Sequence, residues 1–293
     1  MKRIGVLGVP GRWSSELLAD RLAELTGYRL LIASEDITLR LNKGEASGAG
    51  TRLDELDGLV MKKIGPDYSH HLLDRATVLG ALHGRGLRMF PKPDVVIRAA
   101  NRLTCSVELA AAGIPIPDTV ITEDVDEAYD AVQRFGQAIF KPLFTSKARG
   151  MMLFEAGATA KGEIKGFREN GNPVMYIQKR VELPGQDLGI VFLGGKYIGT
   201  YARVGRSDSW STTTVFGGRY AAYEPSDEVI ELARSAAKVF ALDFTSVDIV
   251  EAPSGPLVFE VSAFGGFRGL QETHGIDAAK LYAEYVVNQV SND

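Results

Sequence analysis

The segment of residues 245–262 constrains the fold most, because two apolar runs with a period of two flank a Pro-Ser-Gly-Pro turn, as in a β-hairpin. If Glu251 faces Leu257 across this turn, Asp248 faces Glu260 on the same side of the hairpin. Directly opposed side chains lie about 4.5–5.5 Å apart at Cβ, and like charges there are destabilising. We therefore expect a cation between the two acids, and Mg²⁺ carrying the phosphates of a nucleotide fits such oxygen ligands best. Alternatively, one acid is solvated at a sheet edge, or the register differs by one residue.

The first ninety residues predict a small α/β unit with a parallel sheet, because short apolar strands alternate with longer amphipathic segments. The expected strands are residues 3–9, 29–32, 58–62 and 88–90, and the expected helices are residues 14–25 and 69–83. Residues 42–50 are rich in glycine and other small or polar residues, which predicts a mobile loop. Pro91 and Pro93 favour extended backbone, so we place a domain boundary next to them.

The remainder of the chain predicts an α+β domain. Its expected helices are residues 98–112, 124–135, 226–240 and 277–290, and its first strands are a run near 119–121 and a run that ends at Lys141. We therefore predict an N-terminal α/β domain at residues 1–92 and an α+β domain at residues 93–293. The second domain divides into two lobes, residues 93–177 and residues 178–293.

Composition excludes several classes of protein. The chain has 293 residues, 45% of them hydrophobic, which is enough for a sizeable core. Its net charge of -4 lacks the basic excess of a nucleic-acid-binding surface. No run of about 18 apolar residues predicts a membrane span, and we expect no signal peptide. The single cysteine, Cys105, predicts no internal disulfide and suits a reducing cytoplasm. The four histidines lack the His-Glu-x-x-His spacing of a catalytic zinc site.

Several short motifs follow one another beyond residue 90. They are a helical run at 101–119, Phe-Lys-Pro at 140–142, a hinge at 178–181, Gln-Asp at 186–187, a glycine pair at 217–218, and the acids Asp248 and Glu260. Each motif alone is weakly specific. In order and spacing, however, they resemble the ATP-grasp ligases, and among these the RimK-type branch, over most of the chain.

This resemblance implies two α+β lobes that clasp ATP between them, behind an N-terminal α/β domain. By resemblance, the assigned residues are Arg203 and Arg268 for catalysis; Arg102, Lys141, Ser146, Gly150, Gln178, Lys179, Arg180, Val181 and Asp187 for ATP; and Asp248, Glu260 and Ser262 for one or two Mg²⁺ ions, with Mn²⁺ as a substitute. Lys141 would meet the α- and β-phosphates, and Asp187 would accept from the ribose hydroxyls. On the residues alone, Lys141 could be a solvated lysine at a strand end and Asp187 could cap a turn.

The chain also departs from the family pattern at the proposed site. Arg102 stands where the family usually has a lysine, and arginine keeps the charge but not the geometry. Lys179 replaces an acid of the hinge, and Ser262 replaces an asparagine ligand of the metal. Residues 211–213 replace an Arg-x-Asn stretch. These departures lie where the second substrate should bind, so they leave the acceptor open.

The resemblance implies an ATP- and Mg²⁺-dependent ligase of the cytoplasm. It would join a small-molecule or peptide carboxylate to an amine through an acyl phosphate, with no nucleic-acid or membrane partner. Two alternatives stay open: a kinase that stops at the phosphorylated product, and a nucleotide-binding protein that has lost ligase activity. Self-association into a homo-oligomer is open as well.

Overall fold

The computed structural model describes residues 1–67, 69, 71–145, 148–205, 212 and 217–291. The elements of the N-terminal part are β1 (Ile4–Leu7), α1 (Trp13–Thr26), β2 (Leu31–Ile32), β3 (Thr38–Arg40), β4 (Glu45–Gly48), β5 (Thr51–Arg52), β6 (Gly58–Met61), α2 (His71–Gly84) and β7 (Met89–Phe90). Four of the strands form a parallel sheet in the order β2-β1-β6-β7. The predicted parallel α/β unit is therefore confirmed.

The prediction of a loop at residues 42–50 is wrong at residues 45–48, which form strand β4. Strand β4 lies between β3 and β5 in a three-stranded antiparallel sheet. Its small residues are packed inward: Ala46 is fully buried, and a Cβ on Gly48 would lie 2.9 Å from the Ile32 side chain. The small residues that suggested a loop therefore allow β4 to pack closely against the core.

Two helices replace the single helix predicted at residues 98–112. They are α3 (Pro93–Ala100) and α4 (Arg102–Ala111). Asn101 between them has extended backbone, and its side chain accepts from the backbone N–H groups of Leu103 at 3.0 Å and Thr104 at 3.2 Å. This N-cap starts a new helix and places Arg102 in its first turn.

A second, antiparallel sheet follows. Its strands are β8 (Thr119–Thr122), β9 (Gln137–Lys141), β10 (Met152–Glu155) and β11 (Met175–Lys179), in the order β10-β9-β11-β8, and its helices are α5 (Val125–Phe135) and α6 (Ala160–Glu169). Both helices pack on one face, against Phe140, Phe154 and Ile177. Because side chains alternate along a strand, Lys141 and Gln178 point to the opposite face.

A third sheet is antiparallel and carries the remaining strands. These are β12 (Gln186–Leu193), β13 (Lys196–Val204), β14 (Arg219–Ala222), β15 (Phe244–Ala252) and β16 (Gly255–Val261), in the order β14-β13-β12-β15-β16. The other elements are the helices α7 (Asp227–Phe240), α8 (Arg268–His274) and α9 (Ala278–Ser291).

Two packing layers orient the third sheet. One face shares a hydrophobic core with α7, through residues such as Leu188 and Ile249. Helix α9 returns to the N-terminal part of the chain and packs on α1. The polar half of the other face looks toward Lys141 and Gln178 of the second sheet, so the two faces enclose a cavity. Within the described ranges, no helix is long and apolar enough to cross a membrane.

Candidate active site

The predicted pairing of Asp248 with Glu260 is confirmed, although the register assumed at the turn is wrong. Glu251 faces Pro256 itself rather than the residue after it. The register then shifts next to Asp248, where Phe259 is an extra residue on β16. Such a bulge changes which side chains share a face, and here it keeps both acids on the cavity side.

A buried ion cluster surrounds Asp248. Arg203 donates from Nε to the two Asp187 oxygens at 3.2 and 3.1 Å, and its Nη2 also contacts Asp187. The same Nη2 lies 2.8 Å from Asp248 Oδ2. Burial raises the pKa of Asp248 to about 7, Arg203 opposes that shift, and Glu260 and Asp187 add to it. The cation in contact with this acid pair is therefore the Arg203 guanidinium, and it contacts Asp248 through Oδ2.

The other oxygen of Asp248 suits a metal ion. Oδ1 is buried and has no hydrogen-bond partner among the described residues, and buried polar atoms of this kind usually mark a missing ligand or water. Glu260 lies directly opposite, and Ser262 follows β16 on the cavity wall. Two carboxylates and a hydroxyl are hard oxygen donors, which Mg²⁺ prefers. In the described part of the chain, no cluster of three or more His, Cys, Asp or Glu side chains is arranged for a metal, so phosphate or water oxygens would complete the shell.

Two cations face these acids, Lys141 at the end of β9 in the second sheet and Arg102 in the first turn of α4. Lys141 Nζ donates to Gln178 Oε1 at 2.5 Å, and Gln178 in turn donates to Tyr176 and Thr119, both at 3.2 Å. Burial and, to a smaller extent, the neighbouring charge of Arg102 lower the pKa of Lys141 to about 7, against the opposing charge of Glu260. The site thus holds two cations close together, and among the described residues no carboxylate forms an ion pair with Lys141 Nζ. An anion bound there would relieve the repulsion between the two cations.

Arg102 also holds the loop that follows Lys141. Its guanidinium donates to the carbonyl of Pro142 and, at 3.2 Å, to the carbonyl of Thr145. Of the loop residues assigned to phosphate binding, Ser146 lies outside the described residues. Gly150 has a φ of +67°, a conformation that favours glycine.

The hinge at 178–181 borders the same cavity. The backbone N–H of Lys179 donates to the Asp118 carbonyl at 2.8 Å, and that of Arg180 donates to the Gln137 carbonyl at 3.0 Å. Lys179 and Arg180 therefore use these donors within the protein. Val181 is the next residue that lines the cavity.

Most of the predicted residues meet around one cavity of about 400 Å³. Those that line it are Arg102, Lys141, Gln178, Lys179, Arg180, Val181, Asp187, Arg203, Asp248, Glu260 and Ser262. Gly150 lies beside the lining residue Met151, whereas Arg268 is away from the wall, at the start of α8. The Arg268 guanidinium lies 5.2 Å from the centre of the Trp13 ring and 3.7 Å from a Glu272 oxygen.

Two further residues line the cavity and a third lies beside them, although no motif indicates any of the three. Lys63 lines the cavity, and Lys62 beside it is buried, donating to the carbonyls of Phe264 and Gly265. Burial lowers the pKa of Lys62. Tyr201 also lines the cavity. The only signal in the sequence is the pair of lysines at the carboxyl end of a predicted parallel strand, an edge where ligands often bind.

Two sheets whose polar faces enclose a cavity, with cations on one wall and paired acids on the other, define a protein built to bind a polyphosphate and a divalent ion. The chain belongs to the RimK-like ATP-grasp family, whose model matches residues 99–286. The predicted family is therefore confirmed.

Similar proteins agree with this assignment. A tetrahydromethanopterin:alpha-L-glutamate ligase of Methanosarcina acetivorans is 26% identical, over 98% of this chain and 99% of that protein. A RimK domain ATP-grasp protein from Sphaerobacter thermophilus has the same fold, with a TM-score of 0.76 at 20% identity, covering 97% of this chain and 98% of that one. So does the ATP-grasp ligase PsnB, solved with a phosphomimetic variant of its minimal precursor, Mg and ADP, with a TM-score of 0.75 at 18% identity and 99% of both chains covered. The predicted fold class and the predicted class of enzyme, an ATP-dependent ligase, are confirmed.

Proposed function

We propose that this ligase joins a carboxylate to an amine through an acyl phosphate, using ATP and Mg²⁺. One observation carries the proposal: the adjacent cations Lys141 and Arg102 face the acids Asp248 and Glu260 across a single cavity. A phosphate chain needs positive charge along its oxygens, and its metal ion needs oxygen ligands. The ligase names of similar proteins support the same chemistry.

The phosphates would lie along Lys141 and Arg102. An anion beside Lys141 favours the charged ammonium form, which burial disfavours in the empty site. Arg102 would act partly through the loop that it holds by two carbonyls. The backbone of that loop, with Ser146 and Gly150 as assigned, would then cover the phosphates.

The adenosine would lie at the hinge between the lobes at 93–177 and 178–293. The N–H groups of Lys179 and Arg180 already have partners, so we assign the main contact with adenine to the backbone of Val181. Asp187 gives its oxygens to Arg203. A carboxylate has about four acceptor positions, so it can also accept from a ribose hydroxyl.

The metal site would use Asp248 Oδ1, Glu260 and Ser262. A bound Mg²⁺ ion would neutralise phosphate charge and orient the terminal phosphate. We propose one or two ions, with Mn²⁺ accepted in their place, because all three protein ligands are oxygen donors.

The proposed reaction has two steps. An oxygen of the substrate carboxylate attacks the terminal phosphorus of ATP, and ADP leaves. The amine next attacks the acyl carbon, phosphate leaves with the bridging oxygen, and the amine nitrogen loses a proton. Arg203, which contacts the carboxylates of Asp187 and Asp248, would stabilise the negative charge of the transferred group. Arg268, assigned above to catalysis, is not among the residues that line the ATP cavity, so we propose instead that it contacts the second substrate.

The acid and the amine are small molecules or peptides in our proposal. ADP release should be measured with a panel of carboxylates, each with and without L-glutamate as the amine. A ligase releases ADP and forms an amide only when both are present. A kinase would need the acid alone, and a protein that only binds nucleotide would release no ADP in either case. Lys141→Met serves as the inactive control.

A further inference from the structure

Tyr201 lies in a row of residues that crosses the third sheet at the metal site. It is directly opposite Gly189 on the next strand, Gly189 is opposite Asp248, and Asp248 is opposite Glu260. Directly opposed residues point to the same face of a sheet. The row therefore places a phenol, a glycine and the two acids next to one another on the cavity face.

Two glycines make room for the Tyr201 ring. A Cβ on Gly189 would lie 2.4 Å from Cζ of the ring and 2.6 Å from its hydroxyl oxygen. A Cβ on Gly269 would lie 2.4 Å from Cδ1 of the same ring. Since the hydroxyl end is the part nearest Gly189, the ring leans across this glycine in the direction of Asp248.

The environment keeps the Tyr201 hydroxyl protonated. The residue is only 4% exposed. Burial raises its pKa, and the nearby charge of Arg203 and a hydrogen bond with Ser246 oppose this only in part. The hydroxyl is therefore a hydrogen-bond donor at neutral pH, in a cavity wall that it shares with Gly266 and Phe264.

We propose that Tyr201 is a specificity-determining residue, whose hydroxyl donates a hydrogen bond to the carboxylate that becomes phosphorylated. This rests on the proposed function. The attacking oxygen must come within about 3–3.5 Å of the phosphorus, so the carboxylate must lie next to the metal acids. Glu260 takes one side of Asp248, and on the other side the hydroxyl end of the Tyr201 ring lies over Gly189. Tyr201 keeps its proton throughout and takes part in no bond exchange.

The test measures the binding of carboxylates to the folded protein. Glutarate and succinate, which carry carboxylates but no amine, are titrated calorimetrically into protein saturated with Mg²⁺ and a non-hydrolysable ATP analogue. The parent should bind at least one of them. Tyr201→Phe keeps the ring and should bind it about 10-fold more weakly, which corresponds to about 1.4 kcal/mol, with the affinity for the nucleotide unchanged. Gly189→Ala forces the ring to move and should weaken binding of the same probe.

Tyr197→Phe is the matched control. Its hydroxyl is on the same strand but bonds to Thr200 Oγ1 at 2.9 Å, outside the cavity, so its affinity for the probe should equal that of the parent. Equal affinity in Tyr201→Phe, or a parent that binds neither probe, would overturn the role of Tyr201. Failure of the proposed function is a separate result, namely a parent that does not bind the nucleotide. In that case the same titration without nucleotide still decides the role of the tyrosine.

Discussion

Replacing Asp248 by asparagine keeps the shape of the side chain and removes a charge that the fold holds out of water. Asp248 is 9% exposed, and burial raises its pKa from 3.8 to about 7. In the unfolded chain the same carboxyl ionises near its ordinary pKa. The folded state therefore binds the proton more tightly. Its stabilising contribution is complete below the ordinary pKa and is lost as the pH rises through about 7.

The size of the effect follows from these two values. At about 1.4 kcal/mol per pKa unit, the difference between 3.8 and about 7 corresponds to about 4 kcal/mol. Asparagine cannot ionise and avoids this loss, while Arg203 keeps Asp187 as a partner. We expect Asp248→Asn to exceed the parent in free energy of unfolding by about 1 kcal/mol near pH 4.5 and by up to about 4 kcal/mol near pH 8, without ligand.

The free energy of unfolding is measured by urea titration of parent and variant at both pH values, with and without Mg·ADP. Saturation at about 100 times Kd should stabilise the parent by about 2.7 kcal/mol and the variant by much less. Both Asp248→Asn and Glu260→Gln should lose Mg²⁺-dependent ATP turnover. Because Glu260 is exposed, its variant should stay within about 0.5 kcal/mol of the parent without ligand. An Asp248→Asn protein that is less stable than the parent at pH 8, yet still turns over ATP, would refute the metal-site reasoning.

Further predictions concern the nucleotide. Lys141→Ala should weaken Mg·ATP binding by at least about 10-fold, and Arg102→Ala should weaken it too; unchanged calorimetric affinity in a folded Lys141→Ala protein would remove the phosphate assignment. Ser262→Asn should keep or improve Mg·ATP binding, since an amide oxygen is also a metal ligand, whereas a large loss would place Ser262 away from the ion. Amide hydrogens of residues 144–150 should exchange more slowly once Mg·ATP is bound, and equal rates in both states would argue against a covering loop.

Local sequence patterns were sufficient to predict most helices. The helices predicted at residues 14–25 and 277–290 occur within about two residues of those limits, and those at 124–135 and 226–240 begin one residue later. The later start has a local cause: Asp124 and Ser226 cap the two helices with their side chains. The pairing of Asp248 with Glu260 was also predictable, since alternation along a hairpin depends on neighbouring residues.

The parts that sequence did not reveal depend on contacts between distant segments. Lys62 is buried beneath the carbonyl of Gly265 and lies 3.8 Å from the centre of the Phe267 ring. No pattern near residue 62 specifies that contact. Likewise, the position of the Tyr201 ring depends on Gly189 and Gly269, which belong to different elements. Such tertiary packing has no local periodicity by which sequence reasoning could find it.

The central claim is that this protein activates a carboxylate as an acyl phosphate, and transfer of an oxygen isotope tests it most directly. An acid substrate from the ADP-release panel is labelled with ¹⁸O in both carboxyl oxygens and incubated with ATP, Mg²⁺ and the amine. The account predicts that each inorganic phosphate released carries one ¹⁸O from the acid, while the amide keeps the other. Unlabelled phosphate released during amide formation would contradict the claim.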